Sequence, residues 1–511
     1  MLIERLKSSG LEPLFEKLNT SLRLSQERSA RLERENQLLR QLRRLDLLEK
    51  YGPAGEQLSD EQLELLELEP GVSRAEVKAE SEREQLKLPL KESRKHPGRQ
   101  ELPAHLPRVE KIIACSPEQC ICGHCGKETG VIGYEKSEQL DVEPAKYFVV
   151  VTKREKRACK DCEEQGVARA PVPVRIIEKG LASDRVIIDT VVSKYADYVP
   201  IYRQSAILKR ETGIDLSRAT LDSWVMRVGE LLRPITAAMG QELLSGSYLQ
   251  ADETTVGVQM HDGRGKNHQA YLWQYGKPGG STIFEFRLGR DREGPKQFLG
   301  NFEGILQSDG YAAYNQVGGP KIVYAACWAH ARRKFIDAVK LNALDKESIG
   351  IVEKMDQLFR VDRLARERGL TLEARHVLRN EESKPILERI KVSIEAARIG
   401  GLPQSARTKA CEYTLKLWNR LTRFLDHPEL ELSNNATENS MRPVAIGRKN
   451  WIHVGSEQAG PRVAAIISIV ETCRRLQIPV REYLSAVLPG LENFPANRVN
   501  ELTPAAWFAR K

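Results

Sequence analysis

The chain has 511 residues, 41% of them hydrophobic and 29% charged, more than one core usually serves, so three or four domains are expected. Lys and Arg outnumber Asp and Glu by 79 to 70, a formal charge of +9, which mildly favours a polyanionic partner and identifies none. No run of about 18 apolar residues occurs, and Met1–Gly10 is charged from Glu4 onward without an apolar signal core. That pattern argues against a membrane span or secretory leader and gives the expectation of a soluble, intracellular protein.

Residues 1–51 are rich in Leu, Glu, Arg and Gln. Leu11, Leu18, Leu32 and Leu39 share one heptad position and Phe15, Leu22 and Asn36 a second, the pattern of a self-associating coiled-coil helix, although Ser25 and Ser29 break the register. An amphipathic helix packed on its own chain is the alternative. Residues 52–110 lose periodicity and gain charge and proline, as a linker does.

Residues 111–180 hold a cysteine module. Cys122 and Cys125 form one Cys-x-x-Cys knuckle and Cys159 and Cys162 another. Each supplies half a tetrahedron of thiolates, and four thiolates with no open position describe one structural Zn²⁺. A β-hairpin around Gln139–Thr152 is expected to bring the halves together, with Cys115, Cys120 and His124 as nearby alternatives. Basic residues between Lys146 and Lys160 allow this finger to lie on phosphate, or simply to face solvent.

Residues 181–243 read as a helix-turn-helix-like domain. Ile201–Leu208 is expected to be helical, Glu211–Asp215 to turn, and Ser217 to cap a second helix from Arg218 to Val228. Arg218, Thr220, Ser223 and Arg227 would project toward DNA, while Leu221, Trp224, Val225 and Val228 would be buried. Residues 244–335 change to short β-prone runs, enough for a sheet of about five strands. Residues 336–430 are helical, with breaks expected near Pro385 and at Gly400-Gly401. Residues 431–488 are again mostly helical, broken at Pro479, and 489–511 form a tail.

Asp252 follows the apolar run Tyr248–Ala251, Asp309 ends a second β-prone run, and Glu438 lies on a helix opened at Asn434-Asn435. Two carboxylates at adjacent strand ends and a third on a facing helix can hold two Mg²⁺ or Mn²⁺ ions for in-line attack at phosphorus. As a bare pattern such a triple is weak in an acid-rich chain. Glu253 should point to the opposite face of the strand and stay outside the triad.

The surrounding segments resemble one family, the insertion sequence 66 transposases of TnpC type. The matching stretches are GRQELPAHLPR from Gly98, the paired cysteine knuckles, SKYADYVPIYRQ from Ser193, LSRATLDSWV from Leu216, ADETTV from Ala251, QSDGYAAYN from Gln307, CWAHARRKF from Cys327 and NNATENSMRPVAIGRKNW from Asn434. The resemblance implies a DDE transposase with Asp252, Asp309 and Glu438 as its metal-binding catalytic triad. It implies a multidomain α+β and α/β architecture: coiled coil, four-cysteine zinc finger, helix-turn-helix-like domain and an RNase H-like core. That core would be split into residues 244–335 and 431–488 by an all-helical insertion. His330, Arg332 and Arg333 in the matched CWAHARR segment are expected at DNA or the active site, with Cys327 used for packing. Arg442, one turn beyond Glu438, and Arg448 and Lys449 are expected to contact phosphates.

The implied activity is Mg²⁺-dependent cleavage at the terminal inverted repeats of a mobile element and 3′-hydroxyl transfer into target DNA, in the bacterial cytoplasm. The enzyme would act as a dimer or larger assembly with possible accessory proteins of the same element. The alternative is a non-catalytic zinc and helix-turn-helix DNA-binding protein derived from a transposase.

Overall fold

The computed structural model describes residues 12–51, 112, 124, 127–128, 134, 146–157, 168–178, 180–260, 263, 265–451 and 453–510. The chain divides into two compact units, one bounded by Lys87 and Ala170 and one formed by Met1–Leu86 with Pro171–Lys511.

In the larger unit, helix α1 (Glu12–Tyr51) is continuous, as expected of a stretch without Gly or Pro after Pro13. Leu22, Leu32 and Leu39, all on the heptad positions, are exposed. Arg23–Glu27 and Arg31–Glu35 pair across single turns at 3.5 and 3.3 Å.

In the smaller unit, β1 (Lys156–Arg157) and β2 (Ala168–Arg169) pair antiparallel, with Arg157 opposite Ala168. This corrects the expected hairpin: residues 146–152 form no strand, and the ladder instead joins the residues on either side of 158–167, the stretch of sequence that holds the second Cys-x-x-Cys. Cys122, Cys125, Cys159 and Cys162 themselves, like the expected linker, lie outside the described residues.

Three helices precede the sheet: α2 (Asp184–Tyr195), α3 (Ile201–Thr212) and α4 (Arg218–Leu244). Gly213 ends α3 in the left-handed conformation (φ 73°) that glycine adopts without penalty. Ser217 Oγ accepts from Thr220 N at 3.1 Å, the expected cap. Helix α4 outruns its expected end and continues through Pro234, because Leu231, Leu232, Ile235 and Met239 keep its apolar face buried beyond Val228.

The sheet contains β3 (Tyr248–Val258), β4 (His268–Gly276), β5 (Thr282–Arg287), β6 (Ile305–Ser308), β7 (Val323–Ala326) and β8 (His453–Val454). Its order is β5-β4-β3-β6-β7, with β8 also on β3. Strands β3, β4 and β5 form an antiparallel meander, while β6 and β8 run parallel to β3 and β7 parallel to β6. The apolar run Tyr248–Ala251 is not a strand by itself, since the ladder with β4 is continuous from Gln250 to Val258.

Helix α5 (Glu293–Leu299) links β5 toward β6. After β7 come α6 (Trp328–Leu341), α7 (Lys346–Glu367), α8 (Leu372–Leu378), α9 (Lys384–Ile399), α10 (Ala406–Lys416) and the short α11 (Trp418–Leu421). They pack on a second core that includes Trp328, Phe335, Met355, Phe359 and Ile390 and extends to Tyr248, Ile305 and Ala325 of the sheet. Pro385 does not interrupt this segment. Helix α8 runs through a π-helical turn, Arg379–Ser383, directly into α9, and that widened turn just ahead of Pro385 accommodates its missing N–H.

Helix α12 (Asn435–Trp451) then returns to the sheet, followed by β8, α13 (Gly460–Arg475), α14 (Val480–Val487) and a terminal α15 (Pro504–Ala509). Helix α13 covers the β5 edge. Ser468 Oγ accepts from Phe284 N at 2.8 Å, and Thr472 Oγ1 accepts from Thr282 N and donates to Thr282 O, both at 3.1 Å. These hydroxyls satisfy backbone groups that would otherwise present an open sheet edge.

Candidate active site

The parallel register between β3 and β6 builds the site. Gln250 lies opposite Gln307, and their side chains share a face, Gln250 Nε2 donating to Gln307 Oε1 at 2.9 Å. Two residues further along each strand direction stand Asp252 and Asp309. Period-two alternation returns both carboxylates to that face of the adjacent parallel strands. Asp309 follows the last residue of β6, whereas Asp252 lies inside β3, which runs on to Val258, so only one of the two stands at a strand end as expected. The flanking segments share a pattern, Leu249-Gln250-Ala251-Asp252 and Leu306-Gln307-Ser308-Asp309, a signal that could have found the pair directly.

The third carboxylate arrives from outside the sheet. Gln250 Nε2 also donates to Ser433 O at 2.9 Å, Thr437 Oγ1 donates to Gln250 Oε1 at 3.1 Å, and Gln307 Nε2 donates to Glu431 O at 2.7 Å. Together these bonds fix the entrance of α12 beside the β3–β6 pairing. Glu438 N then bonds Asn434 O at 3.0 Å in the first turn. Between its β6 and β8 pairings the same edge of β3 is open around Ala251–Val256. Helix α12 closes it, with Arg448 donating to Thr255 Oγ1 at 2.7 Å and to Thr255 O.

Burial, and then the charges of Glu438, Glu253 and Asp309, push the Asp252 carboxyl well above the usual carboxylate range. A cation among them would relieve that repulsion. Asn435 Oδ1 and Asn439 Oδ1, on the turns that flank Glu438, are buried without a hydrogen-bond partner. Hard oxygen donors of this kind suit Mg²⁺ or Mn²⁺. Among the described residues no three His, Cys, Asp or Glu side chains form a group able to hold one ion.

Gly310 makes the turn after Asp309. Its φ is +90°, and a Cβ there would come within 2.6 Å of Leu417 Cδ1. Asp309 Oδ1 accepts from Tyr311 N at 2.7 Å, and Tyr413 on α10 donates to the Asp309 carbonyl.

Two expected residues converge on Glu438. His330 Nε2 lies 3.3 Å from Oε1 and Arg333 Nη2 3.2 Å from Oε2, since positions three apart share a face of α6. Their neighbour Arg332 does not join them. It is 4% exposed and forks onto Asp356 of α7 at 2.6 and 3.1 Å, so it is a tie between helices and is not presented to DNA. Cys327 is buried, accepts from Asn434 N at 3.4 Å, and burial pushes its thiol up.

Arg442 is half-buried one turn after Glu438, and Lys449 is exposed. Helix α12 runs through Pro443, so Arg448 and Lys449 belong to it and not to a following segment. In α4, Arg218 and Ser223 are exposed, and Ser223 Oγ turns back to Thr220 O at 2.7 Å. Thr220 is half-buried, its hydroxyl 2.9 Å from Ser217 Oγ, and Arg227 pairs with Glu492 at 2.5 Å.

The sequence reading missed Arg290. Its Nε and Nη2 meet Glu253 Oε1 at 2.9 and 2.5 Å, and its guanidinium lies 4.0 Å from the Tyr311 ring centroid. Glu253 also accepts from Tyr314 at 2.8 Å, and burial raises its carboxyl despite Arg290. Residues next to Asp252 and just after Asp309 thus clamp one half-exposed guanidinium beside the acidic cluster.

The fold and site define a mixed α/β protein with an acidic cluster just beyond the paired stretch of its central parallel strands. The family described as Transposase IS66 family matches residues 179–462, the zinc-finger binding domain of transposase IS66 matches 119–163, and Transposase C of IS166 homeodomain matches 36–110. The chain belongs to the IS66 transposase family. Similar proteins in Sinorhizobium fredii (strain NBRC 101917 / NGR234) are the uncharacterized proteins y4qI and y4hP. The first is 32% identical across 89% of this chain and 86% of the relative, and the second 30% identical across 87% and 83%. A third, y4jD, is 33% identical across 80% and 82%. The zinc-finger match covers both cysteine knuckles, and no helix among the described residues is long and apolar enough to cross a membrane.

Proposed function

We propose that the chain is a DDE transposase that binds the terminal inverted repeats of its element, cleaves the DNA strand there and transfers the 3′-hydroxyl end into target DNA. The observation carrying this reading is the shared face of Asp252 and Asp309 two residues beyond the Gln250–Gln307 pair, with Glu438 delivered above it. The sheet order supports an RNase H-like core, and the run of helices α6–α11 between β7 and α12 supports a helical insertion ahead of Glu438.

Asp252, Asp309 and Glu438 would hold two Mg²⁺ or Mn²⁺ ions, which when bound supply activation of the attacking oxygen and stabilisation of the leaving one. The chain's own residues position the DNA. Arg290, held rigid by Glu253 and Tyr311, offers its guanidinium to a phosphate beside the strand ends, and a pre-organised fork loses little freedom on binding. Arg333 and His330 orient Glu438. Lys449 and Arg442 extend the basic track along α12, and Arg218 and Ser223 offer a second contact from α4.

Cys122, Cys125, Cys159 and Cys162 would hold one structural Zn²⁺, and the exposed leucines of α1 would pair two or more copies. Accessory proteins of the same element are further proposed partners, and the bacterial cytoplasm is the proposed compartment. The test is Asp309→Asn on a labelled element end. Cleavage should vanish while end binding stays within a few-fold. Loss of binding would remove Asp309 from the metal site.

A further inference from the structure

A cavity of about 320 Å³ lies at the far end of α12, away from Glu438. Its walls come from Lys194 and Tyr195 at the end of α2, Asp222 and Met226 on α4, and Trp451 and His453 around the α12–β8 junction. The volume is at the lower end of small-ligand sites and suits one planar group.

The aromatic wall is fixed in place. The Trp451 indole lies over Gly447, where a Cβ would collide with its Nε1, so only glycine lets the ring lie against the helix. Tyr195 meets Trp451 with ring centroids 6.2 Å apart and planes tilted by 58°. The two rings therefore form a corner of the cavity wall. The polar lining is mixed. Lys194 Nζ is a donor 3.6 Å from Asp222 Oδ1, and His453 Nδ1 is buried with no hydrogen-bond partner. Arg462 also lines the cavity but is paired with Glu230 at 2.8 Å, so both cations on the wall face a carboxylate of the chain, and a lining of mixed donors and acceptors matches a nucleobase better than a phosphate.

The location agrees. Glu438 and Trp451 stand in the first and last turns of one helix, roughly 20 Å apart at 1.5 Å per residue. Exposed Lys449 lies between them near the cavity end, and Asp222 on the cavity wall is flanked on α4 by exposed Ser223. We propose that this cavity receives a nucleobase extruded from the DNA that tracks along α12, with Trp451 as the stacking platform and Lys194 and His453 on its hydrogen-bonding edge. The inference rests on the DNA-binding reading above.

The experiment walks a single mismatch through an element-end duplex and measures affinity at each position. A mismatch lowers the cost of extrusion while leaving a base to enter the cavity. The wild type should bind about tenfold tighter at one position, given the usual strength of base stacking on an aromatic ring. Trp451→Ala should flatten that peak, Trp451→Phe should retain part of it, and Met226→Trp, which fills the cavity without removing its aromatic wall, should also abolish it. A flat wild-type profile with normal binding of the intact duplex overturns the cavity proposal alone, as does a peak that survives both Trp451→Ala and Met226→Trp. Failure to bind any end duplex overturns the DNA-binding reading and this inference with it.

Discussion

Arg379→Met is the sharpest probe of how the helical segment holds Glu438 in place. Arg379 is 1% exposed and bonds Asp362 Oδ1 through Nε at 3.0 Å and Nη2 at 2.7 Å. It also donates to the carbonyls of Phe424, His427, Pro428 and Leu430 at 2.8–3.3 Å. Those carbonyls belong to the chain that enters α12, where Glu431 O accepts from Gln307. Methionine keeps most of the stem, so little cavity forms. What is lost is the partner of a buried carboxylate, about 3–5 kcal/mol, with roughly 1 kcal/mol more for each carbonyl that water cannot reach. Asp362 retains Arg375 at 2.8 Å, which removes most of the carboxylate's share, so the four carbonyls dominate and the expected loss is about 4 kcal/mol. Urea unfolding followed by tryptophan fluorescence reads it, since Trp328 and Trp418 sit in or against this core. Strand cleavage should fall as well, because the entrance of α12 loosens. A loss below about 1 kcal/mol, the worth of an ordinary exposed pair, would refute the reasoning.

The same network sets an acid limit. Burial alone would raise the Asp362 and Glu431 carboxyls, but Arg379, Arg375 and Arg366 hold Asp362 well below the usual range, and Arg366 and Arg375 hold Glu431 below it. A depressed folded-state value gives stability that is present above the unfolded carboxyl value of about 4 and is lost as pH falls below it. The urea midpoint should therefore drop steeply below about pH 4, and a flat profile would contradict the pairing. Gly229→Ala should destabilise by about 1–3 kcal/mol, because its Cβ would lie 2.8 Å from the Arg462 backbone oxygen and Cβ, where α4 and α13 touch. A thermal melt within about 0.5 kcal/mol of wild type would show that the helices separate freely. Cys159→Ser should lose zinc by metal analysis, whereas full zinc content would remove that ligand.

Much of the site was legible because its residues stand in local patterns. Asp252 and Asp309 each end an apolar run, and Glu438 follows a clear helix start at Asn434. Ser217 announced its cap, and the buried face Leu221, Trp224, Val225 and Val228 followed helical spacing. The failures share a cause, since they depend on partners distant in sequence. Arg332 reads like its neighbours His330 and Arg333, and only the packing of α7 beside α6 assigns it to Asp356. Arg290 and Glu253 sit on separate strands and loops, so nothing local pairs them. Helices α4 and α12 pass through Pro234 and Pro443 because tertiary burial of their apolar faces outweighs one lost backbone bond. Strand pairing falls at 156–157 with 168–169 and not at 146–152, because the apolar run at 147–151 reads as strand without revealing whether a partner faces it.

The central claim is metal-dependent strand chemistry at Asp252, Asp309 and Glu438, and its most direct test is cleavage and joining of a labelled duplex carrying the element's own end. With Mg²⁺ the wild type should nick at the end and form joined products, and Glu438→Gln should bind the duplex and do neither. Specific binding by both proteins with no cleavage by either, in the presence of Mg²⁺ or Mn²⁺, would contradict the catalytic account and favour a DNA-binding protein descended from a transposase.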